Sequence, residues 1–573
     1  MRFWRQVASL HRPRYFIALI VMLVGVVASA SAAAAPGVVR AWGANGTGQL
    51  GSGSIVSTGA CGGNPCVASP AAVTGLSGVT AISASESIAY SPGCSASGDG
   101  AMHGLALLSN GTVMAWGANG CGQLGDGTTT NSDVPIQVKD LSGVTAIAAG
   151  GEYSLALLSN GTVMAWGANE NGQLGVGDTT GPSTCASEAC STIPVVVRAS
   201  NGGPLGGVTA ISAGGWHSLA LLSNGAVEAW GDAPNTDESL NGQPSPAPVS
   251  GLSGVTAIAA GGGFSLALLS NRTVMAWGEN YDGQLGNGTS SSADSTTPAP
   301  VDGLGGVTAI AAGYAYSLAL LQGGAVMGWG DNEWGELGDG LSTGPDTCTL
   351  ETPAGACATR PVPVSGVTGA SAISASGGDY QTNWQSLALR SNGTVMAWGG
   401  NLFGQLGTGA TAGPSTCNGY PCSTTPVEVS GLTAATAISA GGEFNLALVP
   451  PPPPPSNVFE IPRIVCGVCQ VIPVLVLVPG PGVVSVQQAP STTHDRALSA
   501  RTNHAKPLIV RTTATARKAE RLRLELKLTA AGKRALRKKS KLRVNVLVTY
   551  TPTGGRPADR TITVTFRPHS KHG

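Results

Sequence analysis

The stretch "LALLSNGTVMAWGANGCGQLGDG", from Leu105 to Gly127, returns almost unchanged from Leu155 to Gly177. The pair Trp-Gly occurs seven times in this setting, at Trp42, Trp116, Trp166, Trp230, Trp277, Trp329 and Trp398. The triplet Leu-Ala-Leu also occurs seven times, from Leu105, Leu155, Leu219, Leu266, Leu318, Leu387 and Leu446. A sequence that repeats itself in this way indicates a fold built from one supersecondary unit used many times.

One complete unit reads "VTAIAAGGEYSLALLSNGTVMAWGANENGQLG", from Val144 to Gly175. Leu-Ala-Leu-Leu and Val-Met-Ala-Trp predict two strands, joined by Asn-Gly, a pair that favours hairpin turns in which both residues have positive φ. The pair is lost at Asn271-Arg272, where a residue other than glycine must occupy the second position. A preceding Val-x-Ala-Ile segment and a following Pro-x-x-Val segment predict two further strands per unit.

Four short strands repeated seven times predict an all-β fold, a seven-bladed β-propeller, and the alternative is a stacked solenoid. The chain ends favour the ring. Val38–Trp42 has no Leu-Ala-Leu before it, and Asn445–Val449 has no Trp-Gly after it. We predict that these two half-units pair within one blade, which closes the ring and removes exposed sheet edges. The fourth unit is the weakest, because Gly-Gln-Leu-Gly does not follow Trp230.

The pattern "AGGxxSLALLSNGxVMAWGxNxxGQLG" resembles the repeat of the regulator of chromosome condensation family, over roughly residues 37–449. The resemblance implies a seven-bladed propeller. It also implies two kinds of function: the guanine-nucleotide exchange activity of the founding member on a small GTPase, and non-catalytic protein binding, as in a secreted β-lactamase inhibitory protein with this repeat.

The N-terminus is typical of an export signal. Arg2, Arg5, Arg12 and Arg14 precede an apolar run and then small residues, "ASASAAAAPG", so we predict a signal peptide over residues 1–35. The alternative is an uncleaved membrane anchor over residues 16–34, a length that just spans a bilayer. The protein is therefore expected to be secreted or at the cell surface, where small GTPases and their nucleotides are absent.

Charge and composition divide the rest of the chain. Residues 36–490 contain seven Lys and Arg against 27 Asp and Glu, whereas residues 491–573 contain twenty against four. We predict a propeller over residues 36–449, a polyproline linker over 450–456, an apolar strand-rich segment over 457–490 and a basic β domain over 491–573. The last resembles, much more weakly, the immunoglobulin-like tails of bacterial exported proteins.

Twelve cysteines fall mostly into close pairs, which in an exported chain predict disulfides. Zinc is the alternative, but histidine is scarce and a tetrahedral site needs four convergent ligands. Cys466 and Cys469 have a redox-like spacing without a thioredoxin-like context, so a local disulfide is preferred. The predicted pairs are Cys61/Cys66, Cys94/Cys121, Cys185/Cys190, Cys348/Cys357, Cys417/Cys422 and Cys466/Cys469.

No catalytic constellation is present. His103 and His217 share one column of the repeat with Tyr153, Phe264 and Tyr316, which favours a packing role. Acidic turns such as Leu124–Asp133 lack the dense carboxylates of a calcium loop. We therefore expect no enzyme activity, cofactor, metal or directly bound nucleotide, no specific nucleic acid, and a monomer that binds a protein or an anionic cell-envelope polymer.

The binding face is predicted from residues that differ between units while their neighbours do not. They precede the first hairpin strand or follow the second, and they are expected to mix exposed aromatics with carboxylates, as protein-binding surfaces do. Their alternative role, for Trp216 and Trp384, is packing at the mouth of the channel. The candidates are Glu152, Glu170, Trp216, Tyr281, Asp282, Glu333, Trp334, Trp384, Leu402, Phe403 and Glu443.

Overall fold

The protein forms two compact units, of which the first ends at Pro451 and the second begins at Pro452. The computed structural model describes residues 37–55, 59–61, 64–86, 102–185, 188–232, 243–348, 355–378, 384–451, 461, 471–489, 507–539 and 541–567. The predicted signal peptide, most of the polyproline linker, Cys94, Cys466 and Cys469 lie outside these residues. Within them, no helix is both long enough and apolar enough to cross a bilayer.

Among the described residues of the first unit, all helices and strands are short β-strands, joined by turns and loops. In chain order they are β1 (Val38–Ala44), β2 (Gly59–Cys61), β3 (Asn64–Ala72), β4 (Val79–Ala84), β5 (His103–Leu108), β6 (Val113–Gly117), β7 (Ser132–Gln137), β8 (Val144–Ala149), β9 (Tyr153–Leu158), β10 (Val163–Ala168), β11 (Ser183–Cys185), β12 (Glu188–Val196), β13 (Val208–Ala213), β14 (His217–Leu222), β15 (Val227–Gly231), β16 (Gln243–Pro248), β17 (Val255–Ala260), β18 (Phe264–Leu269), β19 (Val274–Asn280), β20 (Ser291–Pro300), β21 (Val307–Ala312), β22 (Tyr316–Leu321), β23 (Val326–Asp331), β24 (Asp346–Cys348), β25 (Gly355–Pro363), β26 (Ala370–Ala375), β27 (Gln385–Arg390), β28 (Val395–Gly400), β29 (Ser415–Cys417), β30 (Tyr420–Glu428), β31 (Ala437–Ala440) and β32 (Phe444–Val449).

These strands form seven antiparallel sheets, one for each repeat. Six are continuous in sequence (β4–β7, β8–β12, β13–β16, β17–β20, β21–β25 and β26–β30), and the seventh combines β1–β3 with β31 and β32. The second strand of each sheet packs against the first strand of the next, and β32 packs in the same way against β4. The predicted all-β, propeller-like architecture is thus confirmed.

The seventh sheet joins the two ends of the repeat region. β1 pairs with β32 in antiparallel register, from Val38 opposite Val449 to Trp42 opposite Asn445. This is the pairing expected from the two half-units, and it is confirmed. Because β1 and β32 pair with each other, neither strand of this interrupted hairpin is left with an unpaired edge where the other would be.

The hairpin turns differ in detail from the prediction. Gly111 has a φ of 81°, but Asn110 does not have a positive φ. The amide of Gly111 donates to the carbonyl of Leu108, and the amide of Leu108 donates to the carbonyl of Thr112. The loop therefore has three residues with glycine at its left-handed position, and not two residues that are both left-handed. Arg272 takes that position with a φ of 67°, as the sequence predicted.

Each repeat tryptophan is buried where one sheet meets the preceding one. Trp230 is fully buried, and its indole Nε1 donates to the carbonyl of Gln173 over 2.9 Å. A Cβ atom on Gly175 would lie 2.8 Å from that Nε1, so only glycine allows the close approach. Gly-Gln-Leu-Gly is thus the surface on which the next tryptophan packs.

Four predicted disulfides are confirmed: Cys61–Cys66, Cys185–Cys190, Cys348–Cys357 and Cys417–Cys422. Each joins the two strands of one outer hairpin (β2 with β3, β11 with β12, β24 with β25, and β29 with β30). Cys121 is also disulfide-bonded. The four described bridges therefore fix hairpins at the rim and do not link one sheet to another.

The second unit contains two antiparallel sheets around one hydrophobic core. Its elements are β33 (Val471–Val478), β34 (Gly482–Gln488), β35 (Thr512–Ala516), β36 (Glu520–Lys527), α1 (Ala530–Arg537), β37 (Leu542–Pro552) and β38 (Ala558–Phe566). β33 pairs with β36, and the other sheet has the order β35-β34-β37-β38. The apolar segment 457–490, which the sequence analysis separates from the basic tail, thus supplies two strands to the same core. The immunoglobulin-like class stays a prediction.

Candidate functional site

The second and third strands of each sheet place the candidate residues at one end of the first unit. His217, which begins β14, lies opposite Gly231, which ends β15, and the same register recurs in the other sheets. Residues before the second strand and after the third therefore share one end, named here the loop face. The hairpin turns lie at the opposite end, named the turn face.

Backbone contacts between neighbouring sheets hold the loop face together around the centre. The amide of Gly151 donates to the carbonyl of Gly214, and the amide of Gly215 donates to the carbonyl of Gly261, each over 3.2 Å. A Cβ atom on Gly214 would lie 2.3 Å from the carbonyl oxygen of Gly261. The Gly-Gly pair of the repeat is therefore a close contact between backbones.

The centre of the ring is nearly filled. Its cavity of about 30 Å³ is lined by alanine, serine and Glu86, a volume that holds few water molecules. Glu86 is buried among these residues, and burial raises the pKa of its carboxyl to about 8. Among the described residues, this cavity has room for little more than water.

The two repeat histidines have the packing role that the sequence predicted. His103 and His217 are fully buried. Their Nε2 atoms lie 2.8 Å from the hydroxyl of Ser154 and 2.9 Å from that of Ser265, each in the next sheet. Burial lowers the pKa of His217 to about 4. Both histidines thus connect neighbouring sheets.

Aromatic side chains from three sheets pack together on the loop face. The ring centroids of Trp216 and Tyr314 are 6.1 Å apart with planes at 73°, and those of Tyr314 and Trp384 are 5.4 Å apart. Trp384 also stacks on Tyr316 at 6.5 Å. Trp216 is half-buried, whereas Trp384 is fully buried. The alternative role, packing, is therefore correct for Trp384. Trp216 is only partly exposed, so only part of its ring could contact a partner.

The expected exposure is also wrong for other candidates. Five of the eleven are buried: Glu152 (4% exposed), Asp282 (5%), Trp334 (7%), Trp384 (1%) and Phe403 (8%). The other six are half-buried: Glu170, Trp216, Tyr281, Glu333, Leu402 and Glu443.

The loop that follows each third strand explains the burial of Trp334 and Phe403. The amide of Trp334 donates to Glu336 Oε2 over 2.8 Å, and the amide of Phe403 donates to Gln405 Oε1 over 2.8 Å. These bonds fold the loop back on itself. Trp334 then packs against Tyr420, with ring centroids 5.7 Å apart.

Carboxylates gather on the loop face between β15 and the loop after β23. Burial, with the charges of Asp294, Asp232 and Asp282, raises the pKa of Glu279 to about 7. Burial raises the pKa of Glu336 to about 8, and burial with the charge of Glu336 raises that of Asp331 well above its usual range. In this region, burial and mutual repulsion make it unfavourable for all of these carboxyl groups to be ionised at once.

Basic side chains are placed elsewhere. Among the described residues of the first unit, Arg272 and Arg390 lie at the turn face, Lys139 and Arg198 follow the outer strands at their turn-face ends, and Arg40 and Arg360 lie within strands. None of these six is on the loop face. The face is therefore acidic and aromatic. No three metal-ligating side chains converge anywhere in the described part of the chain.

The repeat matches a known family. A model described as the regulator of chromosome condensation (RCC1) repeat matches residues 110–157, 160–221, 273–320 and 392–448. A second model of that description matches residues 144–173, 208–237, 255–284 and 307–335. Parts of this chain between residues 110 and 448 are thus similar to the RCC1 repeat.

Proteins with similar sequences differ widely in size. Ultraviolet-B receptor UVR8 of Arabidopsis thaliana is 27% identical over 319 residues, which are 54% of this chain and 66% of that protein. The E3 ubiquitin-protein ligase HERC2 of Homo sapiens is 29% identical over 213 residues, or 35% of this chain. The chain spans only 4% of the length of HERC2.

Two solved structures have folds similar to that of this chain over about three quarters of its length. Prp20p from Saccharomyces cerevisiae, described with binding properties to Gsp1p and histones, has a TM-score of 0.56 at 22% identity, covering 75% of this chain and 93% of its own. Human WBSCR16 has a TM-score of 0.55 at 21% identity, covering 72% and 99%. These likenesses show the fold.

The sequence did not point to several site residues, because they stand in columns that hold uncharged residues in most other units of this chain. Glu336 stands where five units have glutamine, and Tyr314 stands where others have the second glycine of Gly-Gly. Asp331, Glu279 and Asp232 stand in the column of Ala168. A search for carboxylates in columns that elsewhere hold uncharged residues would have found the acidic residues.

Proposed function

We propose that this protein is an exported binding protein, in which a seven-bladed propeller uses its loop face to bind a cationic segment of another protein. One observation supports the proposal most: the described loop face collects carboxylates and aromatic rings from neighbouring blades and has no lysine or arginine. Opposite charge on a partner would steer its approach and fix its register. Half-buried aromatics such as Trp216 and Tyr281 would supply contact area.

Export is supported by the order of residues at the N-terminus and by four disulfides in the rim hairpins, since disulfides persist in oxidising compartments. Nucleotide exchange on a small GTPase, the alternative that comes from the family resemblance, has no support in the loop face itself. A likeness to Prp20p at 22% identity concerns the fold.

The test uses the full chain, fixed on a support and exposed to a cell-envelope extract, with captured proteins identified by mass spectrometry. The variant Tyr281→Ala/Glu333→Gln/Glu443→Gln changes three half-buried residues of the loop face. Asp140→Asn is the matched control, because it removes an exposed carboxylate beyond the outer strand β7, at the turn face, where asparagine also tolerates the φ of 50°.

We expect a partner that the wild type and Asp140→Asn capture equally and that the triple variant fails to capture. Partners that bind all three proteins equally would contradict the proposal, as would a partner that is lost only with Asp140→Asn.

A further inference from the structure

An open cavity of about 370 Å³ lies on the loop face between the sheets β8–β12 and β13–β16. Its walls are Glu170, Asn171, Trp216 and Asp232. Glu170 and Asn171 come from the loop after β10, Trp216 precedes β14, and Asp232 follows β15. The cavity is thus shaped by two repeats, and its size is that of a small-ligand site.

The chemistry of these walls favours a cation. Trp216 is half-buried and held against Tyr314, with ring planes at 73°, so its position is fixed before a ligand arrives. Glu170 and Asp232 contribute carboxylates from two neighbouring sheets. A tryptophan ring attracts a cation through its quadrupole, and more strongly the further the site is desolvated.

The surroundings of the cavity increase this preference. The charge of Asp232 acts on Glu279, whose pKa burial and neighbouring carboxylates raise to about 7. A cation in the cavity would offset part of this repulsion.

We propose that this cavity binds the cationic side chain of a lysine or an arginine on a partner polypeptide, through the indole of Trp216 and the carboxylates of Glu170 and Asp232. This inference deepens the proposed function, because it names the chemical group that the loop face recognises and the place where it is recognised. Asn171 lies in the wall beside Glu170 and is available to the polar part of the same side chain.

The experiment uses the full chain and small probes, so that it does not depend on a protein partner. The probes are Nα-acetyl-lysine methylamide, Nα-acetyl-arginine methylamide and, as the neutral control, Nα-acetyl-norleucine methylamide. Binding is measured by saturation-transfer NMR and by titration calorimetry. We expect the two cationic probes to bind at least tenfold more tightly than the neutral one, and their affinity to fall as salt is added.

Variants then locate the site. We expect Trp216→Leu and Asp232→Asn each to weaken binding of the cationic probes by at least tenfold, Glu170→Gln to weaken it less, and Asp140→Asn to leave it unchanged. Thermal unfolding checks that each variant is folded. The two carboxylate variants keep the test decisive if Trp216→Leu does not fold.

Equal binding of the neutral and cationic probes would overturn the inference, and so would undiminished binding to Asp232→Asn. These failures are distinct from failure of the proposed function. If Trp216→Leu loses the small cations but still captures the partner protein, only the present inference fails. If the wild type binds the small cations but captures no partner protein, only the proposed function fails.

Discussion

Trp42 donates its indole hydrogen to the carbonyl oxygen of Gln405, 363 positions later in the chain, over 2.9 Å. Asn445 donates its side-chain amide to the same oxygen over 2.9 Å. The two ends of the repeat region therefore converge on one acceptor in the preceding sheet. In five other units a serine stands in the column of Asn445, as when Ser218 and Trp230 both donate to the carbonyl of Gln173.

The tryptophan of the fifth unit lacks this bond. Trp277 Nε1 has no hydrogen-bond partner among the described residues, whereas the other six repeat tryptophans donate to the preceding unit. The preceding unit is the one in which Gly-Gln-Leu-Gly is lost after Trp230. The weakness seen in the sequence thus has a structural consequence one sheet further on.

Replacing these tryptophans by phenylalanine should separate the two cases. Trp42→Phe loses apolar area and one buried hydrogen bond, while Trp277→Phe loses similar area and removes an unpaired donor. A buried hydrogen bond contributes about 1 kcal/mol, so we expect Trp42→Phe to lower the free energy of unfolding by about 1 kcal/mol more than Trp277→Phe. Equal losses in denaturant unfolding would show that the bond to Gln405 is unimportant.

Removal of the first strand should open the ring. Deleting residues 36–43 removes the partner of β32 and of β3, so each of these two strands gains an unpaired edge. We expect the midpoint of thermal unfolding to fall by more than 10 °C, because a loss of several kcal/mol shifts the midpoint by about 2–4 °C per kcal/mol in a large domain. Unchanged thermal unfolding would refute the closure of the ring by β1.

The rim disulfides should be dispensable for the ring. Closing loops this short stabilises by about 2–3 kcal/mol in the entropy model, and each bridge lies within one outer hairpin. We expect Cys185→Ser/Cys190→Ser to increase proteolysis and hydrogen exchange in β11 and β12 and to leave β8–β10 protected. Mass spectrometry that finds free thiols at these positions in the exported protein would contradict both the bridges and the export.

Stability should fall as the pH rises, because of Glu336. Burial raises the pKa of this carboxyl to about 8, from an ordinary value of 4.5. The folded protein thus binds this proton more tightly than the unfolded chain does. The contribution of the protonated Glu336 carboxyl to stability is therefore complete below pH 4.5 and is lost as the pH rises towards 8. One proton corresponds to a slope of about 1.4 kcal/mol per pH unit within that window.

Glu336→Gln tests this dependence. Glutamine occupies the same place in five other units, and Gln284 Oε1 and Gln405 Oε1 accept the loop amide that Glu336 Oε2 accepts here. We expect the variant to gain stability at pH 8 and little at pH 5, measured by urea unfolding. The control variant Asp140→Asn removes one exposed carboxylate and should show the same difference in stability between pH 5 and pH 8 as the wild type. A Glu336→Gln variant that showed this same difference in stability would contradict the prediction.

The ring was predictable because its signals are local and repeated. Val38 and Val449 could be paired from sequence, since each belongs to half of a hairpin seen complete in six other units. The burial of Trp384 and Trp334 could not, because it depends on Tyr314 and Tyr420 in neighbouring sheets. When a position varies between repeats, its side chain has no packing role that all units share. The variation does not indicate whether a side chain from an adjacent sheet buries that position.

The second unit should bind anionic polymers. Every lysine and arginine that the structure describes there is exposed, including Lys533, Arg537 and Lys539 on or beside α1, while the apolar residues of both sheets fill the core. A fragment that begins at residue 491 would lack β33 and β34, so the full chain is the right material.

We expect the full chain to be retained on immobilised dextran sulfate at low salt and released towards 1 M salt, where the screening length falls from about 10 Å at 0.1 M to about 3 Å. The triple variant Lys533→Gln/Arg537→Gln/Lys539→Gln should elute at lower salt than the wild type. The control variant Lys139→Gln, in the first unit, should elute at the same salt concentration as the wild type. The alternative is that these charges only keep a strand-rich domain soluble. Passage of the wild type through the column at low salt would establish that alternative.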